Sequence, residues 1–198
     1  MDGARRDLPP TRNIGVAIGI PEPYGHELQA WRERLGDPNA QRIVPHITLV
    51  PPTPVAPADL PAIEESLLDV AAAERPFEVR LRGSATFLPV SPVVFVPLTV
   101  GIAECERLAK KVRVGALDVD ASFPYHPHVT VAHQLPIEAL QRAFAALSSY
   151  EASFQVLGLT LFELGADEVW RPQRDFTFVG VEGLPGPPEE SFMLEPRW

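Results

Sequence analysis

Pro45-His46-Ile47-Thr48-Leu49-Val50 and Pro127-His128-Val129-Thr130-Val131-Ala132 are two copies of one pattern. In each, a histidine stands two residues before a threonine, inside a run of β-branched and apolar residues. Side chains of a strand alternate between its faces with period 2. His46 and Thr48 therefore share one face, with Ile47 and Leu49 on the other; His128 and Thr130 are set against Val129 and Val131 in the same way. One imidazole and one hydroxyl, presented twice, suit a two-histidine acid/base site with two hydroxyls to hold an anion. Each copy opens on a proline, which lacks an N–H and suits a strand start. That proline also biases Val44 and His126 toward extended backbone.

Working outward, Asn13 to Ile20 reads as a buried strand. Tyr24, Leu28, Trp31 and Leu35 follow at helical spacing, and Gly36-Asp37-Pro38 ends that helix. Arg42 to Val50 is the first His-x-Thr strand, and Pro51-Pro52-Thr53-Pro54 reads as a turn. Leu60, Ile63, Leu67 and Ala71 form the next apolar stripe, with Asp59 as its cap and Pro61 in the first turn. Phe77 to Phe87 alternates as a half-exposed strand. The order then restarts. Pro92 to Val100 is a buried strand, and Ile102, Cys105, Ala109 and Val112 are helically spaced. Pro127 to Ala132 is the second His-x-Thr strand. Pro136 opens a helix with Ile137, Leu140, Phe144 and Leu147; Phe154 to Leu164 and Val169 to Val181 are strands. Repetition of so long a unit indicates a duplicated α+β block, not a solenoid. Two such blocks about a pseudo-two-fold axis would bring His46 and His128 into one cleft.

The division expected is a flexible N-terminus over 1–12, one bilobal domain over 13–182 and a loose tail over 183–198, where Pro185, Pro187 and Pro188 fall. The chain carries a net charge of −9 and only two lysines, Lys110 and Lys111. Long nucleic acids are held by basic surfaces, and no such run is present. A small phosphorylated ligand needs only a local site. No apolar run is long enough for a membrane span, and the first residues lack the apolar core of a secretory signal. Cys105 is the single cysteine, which fits a reducing cytoplasm. A self-contained duplication makes a monomer the simplest expectation.

Paired His-x-Thr-apolar motifs, 46–49 and 128–131, in a duplicated α+β unit resemble the 2H phosphoesterase superfamily. The likeness is greatest to its RNA 2′,3′-cyclic phosphodiesterase and 2′-5′ RNA ligase-like group, over roughly residues 13 to 181. The resemblance implies two lobes of antiparallel-rich sheet lining a central cleft, with helices outside. It implies hydrolysis of 2′,3′-cyclic phosphates to 2′-phosphates, and in some members the reverse 2′-5′ joining. His46 and His128 would be the catalytic pair; Thr48 and Thr130 would hold the phosphate. It assigns proton donation to the first-motif histidine and activation of the nucleophile to the second, while the spacing itself favours neither order. Acidity and scarcity of lysine depart from the ligase-like group and point to a small nucleotide or an RNA end.

Histidine suits both roles because its unperturbed pKa of about 6.5 lies near neutrality. Threonine is stiff at χ1 and donates to phosphate oxygens. No cofactor or metal is required. Further candidate substrate contacts are Tyr125, His126 and Arg171, with Phe123 beside Tyr125 as a stacking surface for a base. His26 reads as surface, and Glu163 to Glu168 as a solvated hairpin turn. Two competing functions remain. One is a nucleotide-binding module that keeps the cleft without turnover. The other is a metal enzyme using His126, His128 and His133. Strand parity opposes the latter by setting His133 on the face of Val129 and Val131, and no nearby carboxylate has a compelling ligand spacing.

Overall fold

Duplicated blocks can fold side by side or exchange strands, and this chain exchanges them. The computed structural model describes residues 11–119 and 123–180. Its elements are β1 (Arg12–Gly19), α1 (Tyr24–Leu35), β2 (His46–Val55), α2 (Leu60–Ala73), β3 (Phe77–Arg82) and β4 (Ala85–Thr86). There follow β5 (Val93–Val100), α3 (Ile102–Val112), β6 (His128–His133), α4 (Ile137–Ala146), β7 (Glu151–Val156), β8 (Gly158–Leu164) and β9 (Trp170–Thr177). All pair antiparallel in the order β7-β3-β5-β6-β2-β1-β8-β9, with β4 on β5. The fold is α+β, a curled antiparallel sheet with four helices, and the two motif strands meet at its centre. The expected N-terminal arm and C-terminal tail fall largely on residues 1–10 and 181–198, outside the described residues.

β3 belongs to the first block yet pairs with β5 of the second; β8 belongs to the second yet pairs with β1 of the first. The helices cross likewise, α1 packing toward β6 and α3 toward β2. The stretch expected as one strand from Phe154 to Leu164 is two. β7 ends at Val156 on one side of the sheet, and β8 starts at Gly158 on the other. One residue joins them, so the sheet must curl until its ends approach. Phe178 N–H donates to the Leu157 carbonyl at this junction. A Cβ on Gly158 would lie 2.4 Å from the Phe176 carbonyl oxygen, so the crossing needs a bare Cα there.

Three further expectations change. Pro51, Pro52 and Pro54 do not make a turn; they lie within β2. β2 touches β6 only at Ile47↔Val129, so beyond that pair it acts as an edge on that side, where missing N–H groups cost nothing. Asp59 does not cap α2. It is αR at the end of a 3-10 turn over Pro57–Asp59 that runs into the helix, and its side chain makes no cap bond. The last strand is shorter than expected, Trp170–Thr177. The helix stripes point inward in part: Leu28, Ile63, Leu67, Cys105, Ala109, Val112, Leu140 and Leu147 are buried, whereas Ile102, Ile137 and Phe144, expected on the same stripes, are exposed. No helix among the described residues is long and apolar enough to cross a membrane.

Candidate active site

Ile47 and Val129 pair at the seam between β2 and β6. In an antiparallel pair, the residue before one partner faces the residue after the other. His46 therefore stands opposite Thr130, and Thr48 opposite His128. The two histidines are diagonal neighbours, roughly 7–8 Å apart by strand geometry. Ile47, Val129, Leu49 and Val131 are buried on the core side, while His46, Thr48, His128 and Thr130 are half-buried on the other.

Both imidazoles are held alike. His46 Nδ1–H donates to the Val44 carbonyl at 2.8 Å, and His128 Nδ1–H to the His126 carbonyl at 2.7 Å. A carbonyl can only accept, so Nδ1 carries the proton and Nε2 is the free nitrogen of each neutral ring. Burial pushes the His46 imidazole down to about 4; the bond to Val44 opposes this, and the charges of Arg32 and His128 add to it. Burial lowers His128 as well, against its bond to the His126 carbonyl and with the His126 imidazole adding to the fall. The His128 ring packs on Phe87 and Phe95, with centroids at 5.0 and 4.9 Å.

A cleft of about 540 Å³ opens on this face. His46, Thr48, Thr130 and His133 line it; His128 is not among the lining residues and packs against the two phenylalanines. His133 corrects the parity argument. Thr130 pairs with Phe95 and Ala132 with Val94, so Val131 is an extra residue, a β-bulge. Val131 and Ala132 are both buried, alternation slips by one, and His133 returns to the cleft. The first copy bulges at the same place, with Thr48 against Ala17, Val50 against Val16, and Leu49 extra. Two adjacent apolar residues after each threonine are the signal that could have revealed this. His133 joins no metal cluster: among the described residues, no three His, Cys, Asp or Glu side chains are placed to hold an ion.

The remaining candidates fall elsewhere. The Tyr125 hydroxyl donates to the Thr48 carbonyl at 2.9 Å, and the Arg113 guanidinium lies 4.9 Å over its ring. That ring ties the approach to the second motif onto the first. Arg171 is engaged with Asp167 at 2.5 Å and does not line the cleft. His126 is exposed and stacks 6.1 Å from His128, with its carbonyl serving that histidine. Phe123 is 67% exposed, outside the cleft lining. His26 is exposed as expected. The Glu163-to-Glu168 turn is not merely solvated, since Glu163 pairs with Arg12 and Glu168 with Arg42 at 2.9 Å.

Arg32 is a residue that sequence reasoning missed. It lies four residues after Leu28, on the apolar stripe of α1, and is 3% exposed. Its Nε donates to the buried Asp37 at 2.9 Å, and it also bonds the Ile43 carbonyl. A charged residue within an apolar stripe was the available signal. This pair braces the loop that delivers His46. Asp37→Ala would leave a buried guanidinium without its counter-charge and is expected to cost about 3–5 kcal/mol, read from urea unfolding. Arg32→Met combined with Asp37→Ala should recover much of that loss, since an apolar replacement removes the orphaned charge.

Comparison with known proteins decides the family. The model of the 2′-5′ RNA ligase superfamily matches residues 20–168, which span both motifs. The chain belongs to this superfamily. It is thus a 2H phosphoesterase, and its class is phosphodiester hydrolase. Proteins carrying a phosphoesterase name from Oceanobacillus iheyensis and Halalkalibacterium halodurans are each 27% identical to it. The alignments cover 72% and 65% of this chain and 87% and 74% of those proteins. Among solved structures, Escherichia coli LigT complexed with 3′-AMP superposes with a TM-score of 0.64 at 18% identity, covering 86% of this chain and 99% of that one. TT0787 of Thermus thermophilus gives 0.58 at 21%, covering 84% and 97%. At these identities the structural likeness speaks for the fold of this 2H phosphoesterase.

Proposed function

We propose that this 2H phosphoesterase opens 2′,3′-cyclic phosphates of small nucleotides or RNA ends to 2′-phosphates, using His46 and His128 as a proton-exchanging pair without a metal. The observation that carries this reading is the Ile47↔Val129 register, which sets each histidine opposite the other motif's threonine about one point. Water attacks phosphorus and the 3′-oxygen leaves. One imidazole Nε2 takes the water proton, and the other returns a proton to the 3′-oxygen. The Thr48 and Thr130 hydroxyls donate to the non-bridging oxygens, where negative charge rests. By the family resemblance, His46 is the donor and His128 the base. With a 5′-hydroxyl in place of water as the nucleophile, and the 3′-oxygen again leaving, the same site would join ends through a 2′-5′ bond.

Relatives named phosphoesterases support the class, and structures of LigT complexed with 3′-AMP, ATP and NADP+ support a nucleotide-sized ligand. The test is hydrolysis of a panel of 2′,3′-cyclic nucleotides with EDTA present, the phosphate position being read by phosphorus NMR. The expected result is chelator-insensitive formation of the 2′-phosphate. Binding of these nucleotides without turnover would overturn hydrolysis in favour of a nucleotide-binding module. Activity abolished by EDTA would overturn the metal-free mechanism.

A further inference from the structure

The cleft extends well past the histidines. Its far end is formed by Trp170 with Phe162 and Leu164, over Gly15 of β1. A Cβ on Gly15 would sit 3.6 Å from the Trp170 ring, so the indole lies across a bare Cα. The Trp170 backbone N–H donates to the Arg42 carbonyl at 2.7 Å, which fixes the start of β9 against the loop before His46. The Trp170 side chain is itself half-buried and lines the cleft. An amphipathic ring, pinned by its backbone and open on the cleft side, is built to receive a flat ligand.

Its distance from the phosphate seat is set by strand register. Ala17 pairs with Thr48, and Gly15 is two residues further along β1. Two strand residues span about 7 Å, the reach of one ribose between a phosphate and a base. Charge points the same way. The two arginines lining the cleft are engaged, Arg32 with Asp37 and Arg42 with Glu168, each at 2.9 Å. Affinity for a nucleotide therefore has to draw on stacking more than on unpaired cations.

We propose that Trp170 is the base platform of the cleft and makes the enzyme selective for purine nucleotides. This rests on the phosphate seat at Thr48 and Thr130 argued above. A purine covers more of the indole than a pyrimidine does, and stacking tolerates either purine because each presents a π-face. The stacking surface expected at Tyr125 and Phe123 is thereby moved to the last hairpin.

The experiment is calorimetric binding of adenosine 2′-monophosphate, cytidine 2′-monophosphate and the base-free methyl ribofuranoside 2-phosphate to wild type, Trp170→Ala and Trp170→Phe. Wild type should bind the adenosine ligand about 5- to 100-fold more tightly than the base-free one, with cytidine between them. Trp170→Ala should erase that ranking, and Trp170→Phe should keep part of it. Equal binding of all three ligands by wild type would overturn the proposal. So would a Trp170→Ala variant that weakens all three equally, the mark of a structural role. A purine ranking in a protein that turns over no cyclic phosphate would sink the hydrolase reading and leave the platform standing.

Discussion

Replacing His46 or His128 with alanine is expected to lower turnover of a 2′,3′-cyclic nucleotide by about 10²–10⁴-fold, the usual worth of a positioned general acid or base. In the proposed mechanism each imidazole serves one side of the same phosphorus, so loss of either leaves its partner without a complementary step. The double variant should be little worse than either single, because groups acting as a unit are not additive. Thr48→Val or Thr130→Val should cost less, since the other hydroxyl remains. Both histidines are half-buried on the cleft side, away from the Ile47 and Val129 packing, so the thermal unfolding midpoint should move little. Single variants that retain near-normal rates with a good substrate would refute the shared-site mechanism.

The second large effect concerns protons. Burial and the nearby Arg32 hold free His46 near 4, and burial lowers His128, so at neutral pH both rings of the free protein are neutral. The proposed mechanism therefore requires that a donor be created when an anion binds between them. A unit negative charge about 4 Å away at an effective dielectric of about 20 is worth about 4 kcal/mol, or roughly three pKa units. Imidazole NMR should show His46 titrating near 4 in the free protein. Saturating inorganic phosphate should then raise one of the two site histidines by about 2–3 units. In kinetics, the alkaline limb of kcat should lie at higher pH than that of kcat/KM, since loss of the donor's proton sets that limb and the first reports the complex, the second the free enzyme. Titrations unmoved by phosphate would exclude an anion seat between the rings. Stability carries the same sign. Between pH 6.5 and about 4 the unfolded chain binds a proton that folded His46 excludes, so stability falls as pH drops through that window and is flat above it. His46→Gln should flatten the fall.

Much of the site was legible because its signal is local. His-x-Thr within a β-branched run fixes two side chains on one face by strand periodicity alone, and its recurrence implies two such faces. Parity fails when carried one step further. Counting sets His133 opposite Thr130, yet Val131 is extruded from the ladder and the count slips. A bulge is decided by the neighbouring strand, and its local trace within β6 is slight: two adjacent apolar residues, Val131 and Ala132, both buried. Prolines 51, 52 and 54 read as a turn because proline usually breaks pairing. They are tolerated in β2 because that strand leaves β6 after Ile47.

The sequence by itself determined the duplication, the helix stripes, the two histidine–threonine pairs and the family to which they belong. Each motif and stripe is a property of spacing within about ten residues, where strand and helix geometry leave few choices, and the duplication is the recurrence of such local patterns. Only the tertiary structure decided that β3 and β8 pair with strands of the other block, that His46 faces Thr130, that Tyr125 serves the backbone of Thr48, and that Trp170 lines the cleft. These depend on which distant strands pair. Pairing is set by the burial of whole faces at once, and no local pattern encodes it.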